Sequence, residues 1–241
     1  MSDDKGAGTL SEIAYAGQLQ TPIISIITCM DCRIRMKTII KAVRPTPSGE
    51  GAKALELPDV EDEIARTGLY ILRNAGGRAQ EALRSIIVSQ NLLGTTDIHV
   101  VHHLGCGMAN NSEEGLRETL LQRLAPSGEA DMVTRSITMH QLAQYQFLPI
   151  RSDICVHRAA DSVFNDMELL RNHPLIKKGT NIKGWLYENI QLDPSRHSMK
   201  SVEDIPRPSS GPEPMCTEAT CERKHSGRYC RPCHSDCPSP R

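Results

Sequence analysis

Two short stretches carry residue types that can do chemistry. The first is Cys29-Met30-Asp31-Cys32-Arg33, which closes an apolar run. The second is His102-His103-Leu104-Gly105-Cys106-Gly107. His103 and Cys106 are separated by two residues, a spacing that lets one turn present an imidazole and a thiolate to the same ion. Cys29 supplies a third donor from a neighbouring strand end. Two thiolates and one imidazole suit Zn(II) with tetrahedral geometry, and three protein ligands leave a fourth position for water. Simple burial of a thiol at a strand end is the alternative that spacing alone leaves open. Asp31 and Arg33 alternate with Cys29, so an extended chain points all three to one side. An arginine fork there orients the carboxylate and keeps it ionised, although a purely structural ion pair would look the same. Cys32 then faces away, as packing or as a redox partner of Cys29. His102 alternates away from His103 and reads as a hydrogen-bonded or surface histidine. Cys155 and His157 have no partner by spacing and read as structural.

These groups must be positioned by a fold. Pro22–Thr28, rich in β-branched residues, reads as a buried parallel strand. Leu69–Leu72, Ile98–Val101 and Ile182–Tyr187 read as three more strands. Apolar residues at helical spacing mark Ala79–Leu93, closed by Gly94, and Ser112–Leu124 and Ala159–Arg171 also read as helices. A Pro/Gly/Ser-rich loop is expected over Val43–Asp59. Alternating strands and helices specify an α/β fold, a single domain whose mainly parallel central sheet is flanked by helices. Ligands in such sheets gather at the carboxyl ends of the strands, where both unusual stretches lie.

The expected organisation is an N-terminal arm over 1–20, the α/β domain over 21–189 and a Pro/Ser/Cys-rich tail over 190–241. The tail has almost no apolar periodicity and reads as disordered. It holds Cys230-Arg231-Pro232-Cys233 with Cys221, His225, His234 and Cys237 nearby, so a second zinc site there competes with disorder. A net charge of -1 over 241 residues gives no electrostatic case for a nucleic acid or a membrane surface. No apolar run reaches the length of a membrane span, and the polar start is unlike a signal peptide. The expected location is the cytoplasm, where the nine cysteines point to metal, catalysis or burial rather than disulfides.

Cys29-Met30-Asp31-Cys32-Arg33 followed by His103-Leu104-Gly105-Cys106 resembles the C-x-D-x-R and H-x-x-C motifs of the β-class carbonic anhydrases. Arg73-Asn74-Ala75-Gly76-Gly77 and the helix after it, through Thr95, are also similar to that family. So are Ser162–Leu170 and Gly184-Trp185-Leu186-Tyr187, which match its closing helix and strand. The match is nearest to the short C-M-D-x-R branch, which also contains carbonyl sulfide hydrolases; carbon disulfide hydrolases share the wider fold and zinc site. The resemblance covers about residues 22 to 188. It implies one Zn(II) per chain on Cys29, His103 and Cys106, with Asp31 and Arg33 as a catalytic dyad. It implies a lyase that hydrates carbon dioxide reversibly to bicarbonate by zinc-hydroxide attack, in a homodimer or higher homo-oligomer. Carbonyl sulfide hydrolysis at the same site is the rival chemistry. A catalytically impaired zinc-binding or interaction protein is the rival class. Leu104-Gly105 stands where the family commonly has Thr-Asp, and residues 35–68 match no family sequence, so substrate preference stays open.

Overall fold

A computed structural model of the chain describes residues 23–44, 68–110, 112–148, 156–190 and 192–205. The expected arm over 1–20, most of the loop over Val43–Asp59, and residues 206–241 with their cysteines lie outside the described residues. Five strands form one sheet: β1 (Ile24–Cys29), β2 (Leu69–Asn74), β3 (Asp97–His103), β4 (Asn181–Glu188) and β5 (Ser198–Ser201). Their order is β2-β1-β3-β4-β5. The first four are mutually parallel and β5 is antiparallel to β4. The helices are α1 (Met36–Val43), α2 (Ala79–Leu92), α3 (Glu113–Leu124), α4 (Met132–Leu142) and α5 (Val156–Asn172). The α/β fold with a mainly parallel sheet is as expected.

β1 sits in the middle of the parallel strands and is buried along its whole length. That is why it reads as a continuous apolar run rather than an alternation. Each face of the sheet has its own core. On one side Ile27, Ile98 and Val100 pack with Ile86 of α2 and with Val163, Met167 and Leu170 of α5. On the other, Ile24, Ile26 and Val101 pack with Ile39, Ile40 and Val43 of α1. Of the two buried hydroxyls in β1, that of Ser25 is satisfied by the hydroxyls of Ser89 at 3.1 Å and Thr95 at 3.2 Å, whereas Thr28 Oγ1 has no partner among the described residues.

Residues 192–205 correct the expected domain end at Asn189. They were expected as disordered tail, yet β5 pairs with β4 from Trp185↔Ser201 to Glu188↔Ser198. Val202 and Ile205 then enter the core beside α5. A four-residue edge strand needs only backbone pairing and carries no apolar pattern, so composition hides it. A chain ended at Asn189 should therefore lose about 4 kcal/mol or more, since burying a Val and an Ile side chain contributes roughly 1.5–3 kcal/mol each. A chain ended at Ile205 should melt like the full chain and bind the same amount of metal. Thermal denaturation and metal analysis of the three chains check this. A lower metal content in the chain ended at Ile205 would assign a second site to the cysteine-rich tail.

Candidate metal centre

β1 and β3 are neighbours, and both stop at the same edge of the sheet, which brings their last residues together. β1 ends on Cys29 and β3 on His103. The chain then turns through Leu104 and Gly105, whose φ of +69° favours glycine, and this turn returns Cys106. The Sγ atoms of Cys29 and Cys106 and a ring nitrogen of His103 lie within 4.8 Å of one another, and all three residues are buried. The two sulfurs are 3.9 Å apart; two thiolates on one tetrahedral zinc, each at ~2.3 Å, stand about 3.8 Å apart.

The imidazole is set for the same purpose. His103 Nδ1 lies 3.0 Å from the Leu104 carbonyl, an acceptor only, so Nδ1 carries the proton. Nε2 is left with its lone pair, buried and without a hydrogen-bond partner. A buried orphan acceptor is costly, and coordination of a cation relieves it. The thiols add to this. Hydrogen bonding from Cys106 lowers the Cys29 pKa to about 4 despite burial, and the same bond followed by burial raises that of Cys106. Cys29 thus gives up its proton more readily than Cys106, and metal binding requires both as thiolates. The three residues fit a zinc ion.

After Cys29 the chain leaves extended geometry and turns at Cys32 and Arg33. Asp31 and Arg33 do meet, but through this turn rather than by strand alternation. Asp31 Oδ1 accepts from the Arg33 backbone N–H at 2.9 Å and from Nε at 2.9 Å, and Oδ2 accepts from Nη2 at 2.5 Å. The Arg33 guanidinium, with help from its backbone N–H and against partial burial, holds the Asp31 pKa at about 2. The same turn leaves Cys32 exposed, which corrects the expectation that it serves as packing. Cys155 and the side chain of His157 lie outside the described residues.

Several residues that support the site were not singled out in the sequence. Arg73, next to Thr28 in the parallel register, donates from Nε to the Cys29 carbonyl at 3.1 Å and from Nη2 to the Asp31 carbonyl at 2.5 Å. Asn74 Oδ1 accepts from the Arg78 N–H and its Nδ2 donates to the Arg78 carbonyl, both at 2.8 Å. Gly77 (φ +70°) lies so close behind β1 that a Cβ would come within 2.8 Å of Cys29 N. His102, on the other face of β3, is fully buried and bonds Asp166 of α5 at 3.1 Å. Asp166 also accepts from Arg78 Nη2 at 2.8 Å and from the Ala79 N–H at 2.9 Å. Arg73, Arg78 and Asp166 all lie in the stretches on which the family resemblance was drawn, which was the available signal.

No family model matches the chain. A carbon disulfide hydrolase of Saccharolobus solfataricus is 27% identical over 167 residues, which cover 68% of this chain and 71% of that protein. Among solved structures, a carbonic anhydrase from Glaciozyma antarctica aligns with a TM-score of 0.52 and 25% identity, over 80% of this chain and 90% of that one. The chain is a homologue of the β-carbonic anhydrases and carbon disulfide hydrolases. Beta-carbonic anhydrase 1 of Mycobacterium bovis is a more distant relative, 20% identical over 186 residues that cover 74% of this chain and 88% of that protein. This homologue has a Cys/His/Cys cluster able to hold a metal ion.

Proposed function

We propose that this chain is a zinc-dependent lyase that hydrates carbon dioxide reversibly to bicarbonate. The observation that carries the reading is the orphan Nε2 of His103 grouped with two buried cysteine sulfurs 3.9 Å apart, with the Asp31–Arg33 pair in the adjoining turn. Cys29, His103 and Cys106 would hold a zinc ion, which would supply Lewis acidity and lower the pKa of a water beside it towards about 7. The chain's own residues do the rest. A carboxyl held at about 2 is too weak a base to take a proton near neutral pH. Asp31 therefore orients the attacking water by accepting a hydrogen bond, and the released proton passes to solvent or buffer. Arg33 keeps that carboxylate turned towards itself and off the ligand set. Arg73 fixes the turn by holding two of its carbonyls, and the burial of Cys29, His103 and Cys106 excludes bulk water from the ligand side.

Asp31→Ala should keep its zinc and lose about 10- to 100-fold in kcat/KM, the range for losing an outer partner of a metal site. Arg33→Ala should lose more, because the freed carboxylate then competes for the open position. Metal content and turnover of the two variants check this, and parental rates in both would make the pair structural.

A second reading is hydrolysis of carbonyl sulfide or carbon disulfide to carbon dioxide or a sulfur intermediate and sulfide. It is favoured by the similarity to carbon disulfide hydrolases over 68% of the chain, and Leu104-Gly105 puts no polar side chain between the two ligands of the turn. Zinc content, carbon dioxide hydration and sulfide release from both sulfur substrates, measured on one sample, decide. One zinc per chain with carbon dioxide as the best substrate is expected. Faster sulfide release moves the assignment to the second reading, and zinc without turnover makes the chain a metal-binding or interaction protein.

The active unit in this proposal is a homodimer or higher homo-oligomer in the cytoplasm. α4 supports the assembly: it has no buried residue and exposes Met132, Val133, Ile137 and Met139, an apolar surface that a second copy would cover. Light scattering on the purified chain measures the oligomer. Among the described residues no helix is long and apolar enough to cross a membrane.

A further inference from the structure

A cleft of about 660 Å³ opens between α1 and the segment from Pro194 to Met199. Neither the metal-cluster residues nor Asp31 and Arg33 line it. Its lining includes Arg35, Lys37 and Lys41, and it includes no carboxylate. The geometry points to a binding site for a small molecule that carries a diphosphate group.

The cations are placed against the interests of the helix that bears them. Arg35 is the N-cap of α1, Lys37 is in its first turn, and that turn has no acidic residue. Positive charge at a helix N-terminus opposes the macrodipole, where an anion is favoured. Lys37 and Lys41 are also a like-charged pair four residues apart, which destabilises a helix. Among the described residues none of the three forms an ion pair with a carboxylate. A bound anion relieves all of these costs together.

The opposite wall is built rather than loose. The Arg35 backbone N–H donates to the Tyr187 hydroxyl at 3.0 Å, and that hydroxyl lies 2.7 Å from His197 Nδ1. His197 Nε2 lies 3.2 Å from the Leu192 carbonyl. That carbonyl only accepts, so Nε2 carries the proton and Nδ1 accepts from Tyr187. Tyr187 is fully buried in β4, so one chain of hydrogen bonds ties both walls of the cleft to the sheet. His197 is thereby committed to the wall, and the charge facing the ligand comes from Arg35, Lys37 and Lys41. Ser198 adds a hydroxyl on the same side.

Charge and size select the ligand class. Three permanent positive charges match a diphosphate, which carries about three negative charges near neutral pH, whereas a monoanion would leave two of them unpaired. The volume lies within the ~300–1,000 Å³ of small-molecule sites, so there is room for a group attached to the diphosphate. Lysines binding as point charges and an arginine fork are the usual donors to phosphate oxygens.

The test is calorimetric titration of the full zinc-loaded chain with inorganic pyrophosphate, inorganic phosphate and ADP at about 0.15 M salt, where loose surface attraction is screened. Saturable binding of one pyrophosphate per chain is expected, with phosphate at least about tenfold weaker because it reaches fewer of the charged donors. Tighter binding of ADP would assign an organic diphosphate, and binding of pyrophosphate alone would assign the inorganic ion. The double variant Lys37→Ala/Lys41→Ala should bind pyrophosphate about tenfold or more weakly, with parental zinc content and circular dichroism. No saturable pyrophosphate binding, phosphate binding as tight as pyrophosphate, or unchanged affinity in the double variant would each overturn the site. Loss of zinc in step with added pyrophosphate would also overturn it, by tracing the heat to chelation.

Discussion

Cys106→Ser is expected to purify with most of its zinc gone and to lose more than about a hundredfold in turnover, beyond the range for losing only an outer partner of a metal site. A serine hydroxyl occupies nearly the same volume but is not deprotonated near neutral pH, and a zinc site needs an anionic donor at this position. The two remaining ligands, Cys29 and His103, cannot close a tetrahedral site. Cys106 lies in the turn after β3 rather than within the sheet, so the apo fold should survive, with circular dichroism like that of the parent stripped of metal. Metal analysis is the deciding measurement. Parental zinc content in the variant would show that the three residues are not the ligand set.

The metal cluster was legible in the sequence because its parts are local. A C-terminal strand residue and an H-x-x-C turn each announce themselves, and parallel pairing of β1 with β3 then joins them. Strong apolar patterning makes β1 to β4, α2 and α5 legible, whereas α3 buries only Leu121 and is marked by its Ser112 N-cap. The unexpected ones lack that patterning for separate reasons. α4 has no buried residue and its apolar side chains are exposed, so no core-facing stripe marks it. β5 is a short edge strand of Ser, Met, Lys and Ser. α1 buries Ile39, Ile40 and Val43 but spans only two turns beside a Pro/Gly-rich stretch that reads as loop. Cys32 departs from the expectation because strand alternation stops at the end of β1, where the backbone turns. The residues behind the ligands were hidden for a different reason. Arg73 reaches the Cys29 and Asp31 carbonyls across 44 and 42 positions, and Asp166 meets Arg78 across 88, so no local pattern records these contacts.

The largest stability effect is expected at one of those hidden residues. Asp166 is 1% exposed and gathers Arg78, the Ala79 N–H that opens α2, and His102. Burial alone would raise its pKa, but the hydrogen bonds from His102 and Arg78 outweigh it and hold the carboxyl at about 2. Removing one partner of a buried charged pair costs about 3–5 kcal/mol, because the other charge is left without compensation. Asp166→Ala should therefore lower the melting temperature by about 10 °C for a chain of this size. The pH dependence separates charge from packing. The folded pKa lies below the ordinary carboxyl value of 3.8, so the unfolded chain binds the proton more readily. The stabilisation is thus fully present above about pH 4 and is lost as the pH falls towards 2, a contribution on the order of 2 kcal/mol. In urea titrations, the stability gap between the parent and Asp166→Asn should be constant near neutrality and shrink through that acidic window. A gap independent of pH would show that the carboxylate acts by shape alone. The site should register the loss as well. His102 precedes the candidate ligand His103, and Arg78 closes the Asn74 turn whose carbonyl accepts from the Met30 N–H at 2.8 Å. Both strand ends that carry the ligands thus rest on this one carboxylate, and the Asp166 variants should bind zinc more weakly although no ligand has been touched.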